Sequence, residues 1–336
     1  MHDDSTGLIC RHSFELSRLM AVYPPQLHHA NKQMVYQIAC PPGTRYSGEL
    51  VFSRWRSLPL PQEFIPEQHQ TAFETRSGYF AYEPSTDPTT IAWYLNFAHS
   101  DLFAFYGGGL FAQDEMQVAE HPALGALREA LLAANIPTWT VEDEQPTPIL
   151  VRGVERRCAI ATDRNPAQGR PSGLYGNHFA RASTEAIQRA TTPLQPPTIS
   201  NILAIAAPAN GFGLYRRHQI TYILTTALTG FTAARQESQL ASPTPPTVVI
   251  HTGFWGCGAF GGNRVLMALL QLLAARLSHI DRLVFHTSDA AGSNDLAAAR
   301  HILANELLAN DAPVSVSSVI DAIVAMRFEW GVGDGN

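Results

Sequence analysis

The stretch that most restricts this chain is residues 252–263, a loop that places five glycines (Gly253, Gly256, Gly258, Gly261 and Gly262) between two strongly patterned neighbours. Residues 248–251 before it, Val-Val-Ile-His, read as a short buried strand, and residues 264–277 after it read as a helix. Glycine lets the backbone take positive φ and come close to a ligand. A helix starting directly after the loop offers unpaired N–H groups and the positive end of its dipole. Strand, glycine loop and helix together make a site for a phosphate or diphosphate.

Two common phosphate loops are excluded by detail. Asn263-Arg264 stands where a P-loop has Lys-Ser/Thr. A dinucleotide-binding loop opens its domain and is followed by an acid at the end of the next strand. Here the loop lies near the C-terminus, and Asp281 begins the next strand. The same glycines also suit a plain β-to-α turn with no ligand. Trp255 and Phe260 weigh against that, because large aromatics in a tight loop suit a wall for a flat ligand, although they also suit core anchors. Cys257 reads as a small buried thiol, since no His or basic residue is its sequence neighbour.

Composition narrows the partners. Hydrophobic residues make up 45% of the 336, enough for a substantial core, and only 15% are charged. The net charge is -6 with no block of like charges, so no nucleic-acid partner is expected. The four cysteines, Cys10, Cys40, Cys158 and Cys257, form no C-x-x-C pair, which reads as reduced thiols in a cytoplasmic protein. Met1-His-Asp-Asp lacks the basic and apolar regions of a secretory signal. The longest apolar run, residues 265–275, is far short of the roughly 18 to 20 residues of a membrane span, so no membrane partner is expected. His28-His29 is an isolated pair, and no metal or cofactor is expected.

Short apolar strands alternating with longer helices predict an α/β or mixed α/β/α sandwich. Strands are expected at 48–55, 91–98, 149–151, 158–161, 202–207, 248–251 and 282–286. Helices are expected at 8–20, 122–134, 215–239, 264–277, 294–308 and 316–326. Residues 163–177 read as a long Gly/Pro/Asn-rich loop. The turn-rich Pro84-Ser-Thr-Asp-Pro88 divides an N-terminal accessory region, residues 1–88, from a main domain, residues 89–336.

Three stretches resemble the poly(ADP-ribose) glycohydrolase family, whose catalytic domain is a macrodomain. Trp255-Gly256-Cys257-Gly258-Ala259-Phe260-Gly261-Gly262 is similar to the family's glycine loop almost letter for letter. Leu95-Asn96-Phe97-Ala98 is similar to the strand that opens its catalytic segment, and Gln113-Asp114-Glu115 to its Gln-Glu-Glu signature. The likeness spans roughly residues 91–326, is most specific at 252–277 and thin between 140 and 200. It implies a three-layer α/β/α macrodomain with a mixed sheet, and a hydrolase that reverses ADP-ribosylation. Because ADP-ribose is anionic and the chain is acidic, local backbone donors or a few arginines must hold it.

The chain also departs from the family. Gly107-Gly108-Gly109 lies three residues before Gln113, and Phe103-Ala-Phe105 occupies the family's glycine-triplet positions. His99 stands for Asn, Asp114 for Glu and Asn263 for Asp. These changes surround the distal ribose and the acid pair. They point away from the polymer and toward hydrolases that remove mono-ADP-ribose from arginine. Cleavage at the ribose anomeric carbon needs proton delivery, an activated water and a stabilised oxocarbenium-like transition state, all of which carboxylates supply. The resemblance implies Glu115 as the main acid/base, Asp114 as the group that holds ribose hydroxyls or positions water, and Gln113 as the residue that orients the loop. It places Gly107, Gly108 and Gly109 against the ribose and diphosphate, and Asn96, Thr252, Gly253 and the loop residues through Gly262 at the ligand. Without the resemblance, Asp114 and Glu115 read as the solvated acidic start of a helix. The implied partners are ADP-ribose and an ADP-ribosylated protein; poly(ADP-ribose) cleavage and ADP-ribose binding without cleavage are the alternatives. Oligomeric state is not legible.

Overall fold

The computed structural model describes residues 7–65, 70–209, 211–309 and 312–334. Residues 1–4, where the absence of a secretory signal was read, lie outside the described residues. Among the described residues, twelve strands run in chain order: β1 (Leu8–Glu15), β2 (Glu49–Trp55), β3 (Glu63–Phe64), β4 (Ala72–Arg76), β5 (Thr90–Ala98), β6 (Val141–Glu142), β7 (Gln145–Pro146), β8 (Ile149–Ile160), β9 (Thr191–Ala206), β10 (Thr247–Thr252), β11 (Arg282–His286) and β12 (Val314–Ser315). The α-helices are α1 (Leu16–Val22), α2 (Ala30–Ala39), α3 (Gln113–Glu120), α4 (Ala123–Ala133), α5 (His178–Arg181), α6 (Thr184–Ala190), α7 (Arg217–Ala241), α8 (Arg264–Leu277), α9 (Ala290–Ile302) and α10 (Val316–Ala325).

Eight strands form one mixed sheet in the order β1-β2-β8-β9-β5-β10-β11-β4. From β9 to β4 the neighbours are parallel; β8, β2 and β1 add antiparallel pairs at one end. Alternation along each strand sends side chains to opposite faces. On β5, Trp93 and Leu95 enter the core shared with α7, α8, α9 and α10, while Tyr94 and Ala98 enter the core shared with α1 and α4. The result is a three-layer α/β/α sandwich. Leu266, Leu269, Leu270 and Leu273 of α8 are essentially fully buried. Each stabilises the fold by roughly 1.5–3 kcal/mol relative to exposure. No helix among the described residues is long and apolar enough to cross a membrane.

Several expectations are corrected. The helix expected at 8–20 is a strand followed by a short helix. Its first eight residues alternate in burial, and the Glu15 carboxylate accepts from the N–H groups of Ser17 and Arg18, starting α1 there. The strands expected at 149–151 and 158–161 are one continuous β8, and β9 starts at Thr191 rather than near 202. Pro193, Pro196 and Pro197 disguise that start. They are tolerated because β9 pairs there with β8 alone, leaving its other edge without a ladder to break. The expected accessory region is not a separate layer. Residues 1–88 supply β1 and β2 at one end of the main sheet and β4 at the other.

Candidate active site

The parallel strands β9, β5 and β10 end together, and in open α/β sheets ligands bind beyond such carboxyl ends. β10 runs into the glycine loop. Beyond β5, α3 begins, with Asp114 and Glu115 in its first turn. Gln113 ties these parts together. Its side-chain oxygen accepts from Phe97 N (2.8 Å) and its amide donates to Leu95 O (3.0 Å), extending the edge of β5 where β10 has turned away.

The acid pair is buried, not solvated: Asp114 is 6% exposed and Glu115 3%. One oxygen of Glu115 accepts from Ala112 N at 3.0 Å. Asp114 accepts from the Asn96 amide at 3.0 Å. The same Asn96 nitrogen donates to Gln117 (2.9 Å), whose own amide donates to the Tyr82 hydroxyl (3.0 Å). Asn96 is itself fully buried, so it holds Asp114 from below, a correction to the ligand contact expected of it. Burial, and then the charge of Glu115, push the Asp114 carboxyl well above its ordinary value near 3.8; the Asn96 amide and Lys32 oppose the shift.

This strain has a consequence for stability. A raised folded-state value means that the native state holds a proton which the unfolded chain has released. Native stability therefore falls as pH rises, starting where a free aspartate ionises. Asp114→Asn keeps an acceptor for Asn96 and removes the strain. It is expected to stabilise the fold by about 1–2 kcal/mol at pH 8 and by nothing below about pH 4. Thermal melts of both proteins across pH check this; a uniform loss of stability in the variant would contradict it.

In the loop, Gly256 (φ +75°) and Gly261 (φ +68°) occupy the left-handed region that favours glycine. Gly262 N donates to Gly256 O (2.9 Å), closing the loop on itself. The N–H groups of Gly258, Ala259 and Phe260 make no hydrogen bond among the described residues, leaving three successive backbone donors at an anion-binding nest. Thr252 and Trp255 are fully buried. Thr252 bonds Gln271, and the Trp255 indole donates to Ile205 O (3.0 Å). These two anchor the loop to the core, which corrects their assignment to the ligand surface. Burial pushes the Cys257 thiol far above its ordinary value, so it is protonated at neutral pH.

Asn263 caps α8 by accepting from Leu266 N (3.1 Å) and donates its amide to Glu329 O (3.0 Å). An aspartate could make the first bond but not the second. The C-terminal segment then runs along the loop. Trp330 stacks on Tyr215 (4.2 Å between centroids), Gly331 N donates to Gly261 O (2.8 Å), and Asp334 N donates to Gly258 O (3.4 Å). Tyr175, from the long loop at 163–177, completes this side. A Cβ on Gly258 would lie 2.9 Å from its hydroxyl oxygen and 3.1 Å from an Asp334 carboxylate oxygen. Burial, followed by the charges of Asp334 and then Glu115, raises the Tyr175 hydroxyl above its ordinary value.

The Gly107–Gly109 triplet does other work than expected. Gly107 O accepts from His28 N and His29 N (2.9 and 3.1 Å), and a Cβ on Gly107 would sit 2.3 Å from Gln26 O. A Cβ on Gly109 would meet Ala180 and His29 at 3.1 Å. Gly107 and Gly109 thus admit the segment before α2, and His29 caps α2 through Asn31 N. His99 accepts from Asp101 N (3.1 Å) and packs edge-on to Phe105. Lys32, Gln117, Tyr82, Tyr175 and Asp334 were not singled out from the sequence. Nothing in their local pattern marks them, because they reach the site through tertiary packing.

Residues 170–294 match the family model described as poly(ADP-ribose) glycohydrolase, Macro domain fold. The matched part includes the glycine loop but not Asp114 and Glu115. Among solved structures, poly(ADP-ribose) glycohydrolase from Thermomonospora curvata bound to the inhibitor ADP-HPD is 16% identical, with a TM-score of 0.48 over 82% of this chain and 100% of that one. Another structure of the T. curvata enzyme gives 15%, 0.42, 88% and 87%. The Deinococcus radiodurans enzyme in complex with ADP-ribose gives 13%, 0.41, 91% and 99%. The mixed eight-stranded sheet with its flanking helices accords with the Macro domain fold of that family model, whose matched residues carry the glycine loop.

Proposed function

We propose that this chain is an ADP-ribosyl hydrolase. One juxtaposition carries the reading: a nest of free backbone donors and a buried acid pair share one end of the sheet, with Tyr175 facing both Gly258 and Glu115. The nest suits the diphosphate of ADP-ribose, and the pair suits cleavage at the ribose. Water adds to the anomeric carbon, the bond from that carbon to the protein side chain breaks, and the departing atom takes a proton. Glu115 serves as acid/base, and Asp114 holds the ribose hydroxyls or positions the water. Burial favours a shared proton on such a pair, so one acid and one base coexist near neutral pH.

The substrate beyond the ribose is, in this reading, a mono-ADP-ribosylated side chain such as arginine. The departures at His99, Asp114 and Phe103–Phe105 support it. The match to the poly(ADP-ribose) glycohydrolase family model favours the polymer as a second reading. A cytoplasmic setting belongs to the same proposal, supported by four cysteines that are all free. The test is release of free ADP-ribose from defined arginine-, acid- and serine-linked proteins and from poly(ADP-ribose). Arginine-linked substrate turning over at least tenfold faster supports the first reading; preference for the polymer supports the second. Binding of ADP-ribose with no release from any substrate overturns hydrolysis.

A further inference from the structure

Lys32 is the least expected charge in the molecule. It lies on α2 and is 2% exposed. Its ammonium donates to Tyr106 O (2.8 Å) and sits 5.2 Å from the Phe111 ring centre and 5.7 Å from that of Phe179. Those two rings stack on each other at 4.0 Å, closing the pocket. Phe111 leads into Ala112, the N-cap of α3 whose N–H binds Glu115, and α2, which carries Lys32, packs directly against α3. It forms no direct ion pair among the described residues. A buried charge facing one carbonyl and two rings is costly unless other charges offset it.

We propose that Lys32 is a positioning residue for the acid pair: from its closed pocket its positive charge holds Asp114 and Glu115 at one net negative charge, keeping one carboxyl ionised while the other retains its proton. The neighbours leave the two acids as its partners. Asp114 and Glu115 on α3 are the charges that favour its charged form, against the burial that pulls Lys32 down to about 8. The Tyr106 hydroxyl faces away, accepting from Gln26 N and donating to Glu129. On β8, Glu155 and Arg157 pair with each other. On α6, Glu185 and Arg189 are exposed. Tyr36 on α2 and Tyr175 are raised and neutral, and His29 is engaged with Asn31 N.

The catalytic consequence rests on the proposed hydrolase activity, but the charge coupling does not, and the experiment separates them. The first arm follows the Lys32 ammonium by ¹⁵N-detected NMR in the wild type and in the double variant Asp114→Asn/Glu115→Gln, without substrate. Loss of a facing negative charge should lower the Lys32 titration midpoint by at least half a unit; an unchanged midpoint overturns the proposal. The second arm is the pH profile of ADP-ribose release by Lys32→Met. Without the cation, the acid limb of kcat/KM should move up by about one unit, so that activity on that limb falls about tenfold relative to its own plateau. A merely structural lysine would lower the plateau and leave the limb in place, and that result also overturns the proposal. Should Lys32→Met not fold, or should the wild type release nothing, the NMR arm decides alone.

Discussion

Glu115→Gln is expected to lower ADP-ribose release by about a thousandfold while changing ADP-ribose affinity by less than threefold. The magnitude follows from what general acid–base chemistry typically contributes, roughly 10²–10⁴ in rate. Affinity should survive because the glutamine oxygen can still accept from Ala112 N, so the first turn of α3 keeps its geometry. The nest at Gly258–Phe260 is a different part of the loop system and is untouched. Single-turnover release, measured beside calorimetric titration with ADP-ribose, checks both halves. A rate within tenfold of the wild type would move the acid/base role to Asp114, whose raised proton affinity equips it for such a part.

Gly261→Val is expected to do the reverse, weakening ADP-ribose binding by at least about tenfold. The left-handed φ of +68° strains any side chain, and most of all a β-branched one, at a cost of about 1–3 kcal/mol. The added Cβ would not point into the nest. It would lie 2.9 Å from Gly333 N and 3.0 Å from Gly331 O, against the C-terminal segment. The loop must therefore shift, and the three free donors shift with it. The sequence alone suggests obstruction of the diphosphate path; the structure replaces that with distortion of the loop against its C-terminal support. Titration calorimetry checks the affinity, and unchanged affinity would mean that the donors at Gly258–Phe260 do not hold the diphosphate.

The parts of the fold legible in the sequence are those with strong local signals. α8 and β11 fall at the residues that the sequence indicates, because α8 is a long apolar run opened by the Asn263 cap and β11 is a short apolar run. The opposite case is β9, whose prolines read as breakers but sit where one strand edge has no partner. β1 misleads for another reason. Its alternating pattern is short, and a helix begins directly after it.

The candidate site divides in the same way. Gln113, Asp114, Glu115 and the glycines are contiguous, so motif reading reaches them. Lys32 and Tyr175 come from distant parts of the chain, and no spacing rule brings them beside Glu115. Asn96, Thr252 and Trp255 show the converse error. Motif membership marked them as ligand contacts, whereas their burial makes them supports for the groups above them. The Gly107–Gly109 triplet is a related case. Its lack of side chains admits residues 26–29, and that segment leads directly into the helix carrying Lys32.

The most direct measurement is a crystal structure of Glu115→Gln with ADP-ribose bound. Diphosphate oxygens are expected within hydrogen-bonding distance of the backbone nitrogens of Gly258, Ala259 and Phe260, with the distal ribose facing residues 114 and 115. ADP-ribose bound elsewhere, or bound here with that ribose turned away from α3, would contradict the proposed function.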